Sequence, residues 1–125
     1  MATQLTRYRV KGTTAADGTA TITGTNVARG KIHSIFCDVG ALDDTADITV
    51  TTPDDVITQT ILNLTNQATD VTVRPLILAT LNTGAALTAT GNIYKEFAVM
   101  SRLRVAVAQG GAAKDFVIDV YVEEY

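Results

Sequence analysis

Leu103-Arg104-Val105-Ala106-Val107-Ala108-Gln109-Gly110-Gly111-Ala112, and soon after it Phe116-Val117-Ile118-Asp119-Val120-Tyr121-Val122, decide the fold class. In the first run Leu103, Val105 and Val107 alternate with Arg102, Arg104 and Ala106. In the second, Phe116, Ile118, Val120 and Val122 fall on one side, and Val117, Asp119 and Tyr121 on the other. An extended chain points successive side chains to opposite faces, so this period of two predicts strands with one buried face. Gln109-Gly110-Gly111-Ala112 supplies a turn, and the pair is predicted to be a hairpin.

Working back along the chain, the texture persists. Thr and Val are abundant, and their branched Cβ favours strands over helices. Tyr8 and Val10 alternate with Arg7, Arg9 and Lys11, and Gly12 is expected to end that run. Asp17-Gly18 predicts a tight turn into Thr19-Ala20-Thr21-Ile22. Arg29-Gly30 is read as a turn into a run from Lys31 to Val39, apolar on both faces near its middle, as for a central strand. Ile48-Thr49-Val50-Thr51, residues 56–64, Val71-Thr72-Val73 and residues 93–99 are further strand candidates. Residues 76–81 fit either a strand or a helical turn.

Eight or nine short strands at roughly 8–14-residue spacing, with no long helix, predict an all-β two-sheet sandwich or a closed barrel, and an eight-stranded jelly roll is favoured. No internal repeat suggests a propeller or solenoid. The 125 residues fit a single β-sandwich domain over 1–125, with room for a short N-terminal arm at 1–5.

Composition narrows the chemistry. One His and one Cys rule out an internal disulfide and leave too few ligands for a Cys/His zinc site. His33 and Cys37, four apart in a strand, would share a face about 13 Å apart, too far to act as a nucleophile–base pair. They read as a satisfied His and a packed Cys. A jelly-roll enzyme would need clustered His and carboxylates around a metal, so no enzyme activity and no cofactor are expected.

Asp43, Asp44, Asp47, Asp54 and Asp55 could supply oxygen to calcium, but without an EF-hand pattern they read as solvated loop charge. The small-residue loop 82–91 lacks the Lys of a phosphate loop and reads as either a mobile loop or a contact loop. A net charge of -3 disfavours nucleic-acid binding. No apolar run approaches the ~20 residues that span a bilayer. The polar start Met1-Ala2-Thr3-Gln4 predicts a chain that does not pass a secretion channel, which removes the weight of the acceptor pattern Asn63-Leu64-Thr65. If neighbouring in space, Arg7, Arg9, Lys11, Arg102 and Arg104 would make a basic patch.

Five stretches share a further likeness: Arg7-Tyr8-Arg9-Val10-Lys11-Gly12, Asp17-Gly18 with Thr19-Ala20-Thr21-Ile22, Lys31-Ile32-His33-Ser34-Ile35, Thr45-Ala46-Asp47-Ile48-Thr49-Val50 and the closing run from Leu103 to Ala112. Together they resemble small capsid decoration, or cement, proteins of tailed bacteriophages. The resemblance implies a jelly roll that assembles as a dimer or trimer on the outside of an icosahedral shell. The implied partners are the major capsid protein and a second copy of the chain, with no nucleic acid and no membrane. The implied location is the capsid exterior of the virion, after assembly in the host cytoplasm. No catalytic or ligand residue carries over. The expected interface residues are Arg7, Tyr8, Arg9, Leu87, Tyr94, Tyr121 and Tyr125, since Tyr and Arg are enriched at interfaces. The competing expectation is a head-fibre, tail-tip or carbohydrate-binding module, which the absence of Trp weakens.

Overall fold

A computed structural model describes residues 4–78 and 94–124 of the chain. Among them the chain is all-β, with no helix and therefore no helix long and apolar enough to cross a membrane. Eleven strands appear: β1 (Gln4–Thr13), β2 (Ala20–Thr23), β3 (Ala28–Asp38), β4 (Asp47–Thr51), β5 (Thr60–Leu64), β6 (Val71–Val73), β7 (Leu76–Leu78), β8 (Tyr94–Glu96), β9 (Ala98–Ser101), β10 (Arg104–Ala108) and β11 (Asp115–Glu124).

One antiparallel sheet has the order β1-β11-β3-β6, with β9 also paired to β3; a second has the order β2-β10-β4-β5; β7 and β8 form a small third sheet. Lys31 pairs with Glu123 of β11 and with Ala98 of β9, so β6 and β9 both lie on the side of β3 away from β11. The alternating apolar positions of the two larger sheets close one core. Val10, Ile35, Phe116, Ile118, Val120 and Val122 come from the first, and Ile48, Val50, Leu62, Val105 and Val107 from the second.

The predicted C-terminal hairpin is not formed. β10 pairs with β2 and β4, whereas β11 pairs with β1 and β3, so the two strands belong to different sheets. The link at 109–114 is an arch whose positive φ angles at Gln109 (55°), Gly111 (83°) and Ala113 (54°) turn the chain across the core. It is held by neighbouring turns: Gly110 N–H donates to the Gly18 carbonyl at 2.9 Å and Asp43 N–H to the Gly110 carbonyl at 3.0 Å. The inward residues of β10 and β11 are buried just as a hairpin would bury them, but on opposite layers.

Other expectations need correction. Only residues 60–64 of the run 56–64 are a strand; residues 52–59 form a loop with Val56 and Ile57 in solvent. Residues 93–99 do not make one strand, because the chain breaks at Phe97 between β8 and β9, which serve different sheets. Arg29-Gly30 is no turn but lies within β3. Gly30 has φ 142° and backs onto β11 so closely that a Cβ there would overlap the Glu123 carbonyl. β3 is central as predicted, yet one face remains open at Phe36. β1 runs through Gly12 to Thr13, and Gln4 and Leu5, expected in an N-terminal arm, pair with Glu124 and Glu123. The ambiguous segment 76–81 is a strand over Leu76–Leu78; residues 79–81 and the loop 82–91 lie outside the described residues.

Candidate functional site

The outward face of the β1-β11-β3-β6 sheet gathers Arg7, Arg9, Lys11, Phe36 and Tyr121 from the residues that sequence singles out. Pairing register stacks them in rows. Arg9, Asp119, Phe36 and Thr72 form one row across the four strands. Lys11, Val117 and Asp38 form the next on one side, and Arg7 with Tyr121 the next on the other. Arg9 donates to Asp119 from Nε at 2.8 Å and from Nη2 at 2.9 Å, a bidentate pair in which the carboxylate is nearly buried and the guanidinium half-exposed. The hydrogen bonds to Asp119 push the Arg9 guanidinium above its ordinary value. Beside this pair the rings of Phe36 and Tyr121 meet at 4.9 Å between centroids and 51° between planes, a favourable tilted contact.

A cleft of about 480 Å³ opens on this face between the Arg9–Asp119 pair and Asp38, Asp70 and Thr72. Asp70 is already occupied structurally, since Oδ1 accepts the N–H groups of Val39 at 2.9 Å and Gly40 at 2.8 Å. Cys37 borders the cleft from the core side. Burial, and then the charge of Asp70, pushes its thiol up to about 11, so at neutral pH it is a packed thiol rather than a nucleophile. The bulge where Ser34 pairs with Tyr121 but Ile32 with Val122 interrupts the alternation that would place His33 and Cys37 on one face. His33 is half-buried, with Nδ1 3.0 Å from Ser34 Oγ.

The interface residues chosen from sequence therefore divide. Arg7, Arg9 and Tyr121 share the outward face. Tyr8 turns inward, packs against the core and donates its hydroxyl to the Glu124 carboxylate. Burial and that partner push the Tyr8 phenol up to about 12. Tyr94 is exposed on β8, in the small sheet. Leu87 and Tyr125 lie outside the described residues. The expected basic patch is not assembled, because β1 and β10 belong to separate sheets. Arg102 instead pairs with Asp54 at 2.8 and 2.9 Å, and Arg104 Nε donates to Thr23 Oγ1 at 3.1 Å.

The acidic residues act as loop clips. Asp47 Oδ1 accepts Asn66 N–H at 3.0 Å, and Asp55 Oδ2 accepts Gln59 Nε2 at 2.9 Å. Hydrogen bonds from Arg102 draw the Asp54 carboxyl down to about 2. No group of three or more His, Cys, Asp or Glu side chains is placed to hold a metal ion among the described residues.

A second surface went unread in the sequence. The loop 52–59 is fastened to β9 by Asp54 N–H to Ser101 Oγ at 3.0 Å and Gln59 Nε2 to the Ala98 carbonyl at 3.0 Å. Around that seam stand exposed apolar side chains: Val56 with no cover at all, Ile57 at 80% exposure and Met100 at 65%. Gln59 also borders a cleft of about 440 Å³ with Ile77 and Tyr94. The signal was the placement of Val56-Ile57 directly after the strand-breaking Pro53-Asp54-Asp55, which leaves two large apolar residues no strand to join.

Comparison with protein-family models, with curated proteins and with solved structures finds no match to this chain.

Proposed function

We propose that this chain is a non-enzymatic structural protein of a virus particle, of the capsid-decoration type, which binds the outer surface of a tailed-phage head as a dimer or trimer and stabilises it. The observation that carries the reading is the uncovered apolar surface around β9, with Val56, Ile57 and Met100 in water, and Ile77 and Tyr94 exposed at the cleft that Gln59 borders. Large apolar groups gathered on a water-facing surface mark a place where another protein docks. A symmetric oligomer presenting several such surfaces gains avidity on a lattice, and binding only the assembled lattice stabilises it by mass action.

The strand order supports a jelly roll as the scaffold. β1 with β11, β2 with β10, β3 with β6 and β4 with β5 pair as the successive rungs of one long antiparallel ribbon. β11 beside β3 and β10 beside β4 roll that ribbon into two layers. The resemblance in sequence to decoration proteins points the same way.

Co-sedimentation tests the role. The protein is expected to pellet with mature shells and not with free coat protein, and light scattering is expected to report a dimer or trimer. A monomer that ignores shells overturns the reading. A head-fibre, tail-tip or carbohydrate-binding role is the alternative, favoured by the Phe36–Tyr121 ring pair beside the Asp38 and Thr72 side chains, since sugars stack on rings and bond to such oxygens. Binding to a glycan array, lost in Phe36→Ala, would select that alternative.

A further inference from the structure

We propose that the free edge of β1 accepts an added strand: an extended acidic segment of a partner protein, running alongside residues 5–11. This goes beyond the role above, because it names a recognition mode and a ligand chemistry that hold whatever particle the partner belongs to.

The backbone carries the first part of the argument. Among the described residues β1 pairs along its ten residues with β11, on one side only. Thr14 N–H donates to the Lys114 carbonyl at 2.9 Å, which continues the register beyond Thr13 and Asp115 and makes Thr14–Lys114 a hydrogen-bonded pair. In an antiparallel pair the hydrogen-bonded positions alternate, so Tyr8, Val10 and Gly12 direct their backbone groups to β11. Arg7, Arg9 and Lys11 direct theirs outward. No backbone group among the described residues bonds to these three outside the β1–β11 pairing. The register runs without a bulge, so the edge is regular as well as long.

Space and charge carry the second part. A groove of about 280 Å³ is lined by the consecutive residues 6–10 together with 24–26 and Leu103. Side chains of one face recur at every second position, so five consecutive lining residues mean that the groove follows the strand's edge. The three residues whose backbone faces outward also carry the cations of β1. Arg9 is taken by Asp119, but no carboxylate pairs with Arg7 or Lys11 among the described residues. Two copies of β1 pairing antiparallel would bring these like charges together across the strands, which is destabilising. A strand with carboxylates at alternate positions instead meets Arg7 and Lys11 with opposite charge while its backbone completes the sheet.

The test uses labelled eleven-residue peptides: a Thr-Glu repeat, a Thr-Lys repeat, and a Thr-Glu repeat with proline at two central positions. The acidic peptide is expected to bind saturably in fluorescence anisotropy, more weakly as salt rises, and to shift the amide resonances of Arg7, Arg9 and Lys11 and slow their exchange. The lysine and proline peptides are expected to bind about tenfold more weakly or worse, because one loses the charge pairs and the other the backbone bonds. The double variant Arg7→Ala/Lys11→Ala is expected to lose about tenfold for the acidic peptide. Equal binding of the proline peptide, shifts confined to other strands, or no binding of the acidic peptide overturns the proposal. So does exchange protection of the three amides that rises with protein concentration alone, which would mark the edge as a contact between copies. Because no shell is involved, failure here leaves the decoration role standing, and failure of co-sedimentation leaves this edge standing.

Discussion

Arg9 and Asp119 face each other across β1 and β11, joined by two hydrogen bonds of 2.8 and 2.9 Å, with the carboxylate nearly buried and the guanidinium half in water. The burial makes the pair unequal. Removing Arg9 leaves a charge in a poorly hydrated place, whereas removing Asp119 leaves a long cation free to turn into solvent. Arg9→Ala is therefore expected to destabilise the fold more than Asp119→Ala does. Urea unfolding of both variants measures the difference, and an equal or reversed order contradicts the account.

Gly30 sits where β3 passes the end of β11. With φ 142° and no room between its Cα and the Glu123 carbonyl, any side chain strains the backbone and separates the two strands. Gly30→Ala is expected to cost about 3 kcal/mol, a large part of the stability of a domain this size. Thermal unfolding within a degree of the unsubstituted protein would mean that β3 and β11 are not so closely apposed.

Asp54 links pH to the loop 52–59. Its carboxyl lies at about 2 against an ordinary 3.8, chiefly through the hydrogen bonds from Arg102. A depressed carboxyl stabilises above the unfolded value and loses that contribution as pH falls through the folded one. The loop is thus expected to loosen between about pH 4 and pH 2, seen as faster amide exchange at Asp54 and Arg102. Asp54→Asn should be loose already at pH 7 and change little over that interval.

Tyr8 titrates in the opposite sense. Its phenol is raised from 10.0 to about 12 by burial and by the Glu124 carboxylate that accepts its proton in a hydrogen bond. A raised phenol stabilises the fold below the unfolded value and loses that contribution as pH climbs from 10 toward 12. Difference absorbance of phenolate should show one late-ionising tyrosine that disappears in Tyr8→Phe, and its absence would contradict the inward placement of the ring.

Val56 and Ile57 stand in solvent, and they are expected to contribute contact surface rather than fold stability. The double variant Val56→Ser/Ile57→Ser is expected to change unfolding free energy by no more than about 0.5 kcal/mol, as for exposed positions generally. It should weaken association with shells or between copies. Unaltered association measured by sedimentation would remove this surface from the docking role.

Local pattern in the chain accounts for the all-β character, the inward set Val10, Val105, Val107, Ile118 and Val120, and the Asp17-Gly18 turn. Each follows from a period of two or from a turn dipeptide, and such signals are complete within a few consecutive residues. Which strands pair is set by packing across the whole chain. β10 and β11 bury the same side chains whether they lie side by side or face each other across the core, so alternation cannot separate a hairpin from an arch; the positive φ angles at Gln109, Gly111 and Ala113 and the bonds from the 15–19 and 40–46 turns do. The same non-local choice sent Arg7 and Arg104 to different sheets, set Asp119 opposite Arg9, placed Phe36 against Tyr121 and left the outward edge of β1 without a partner strand among the described residues. Partners across a sheet are separated by up to 120 residues of chain, as Gln4 and Glu124 are, and no local pattern encodes which distant strand completes a hydrogen-bonding edge.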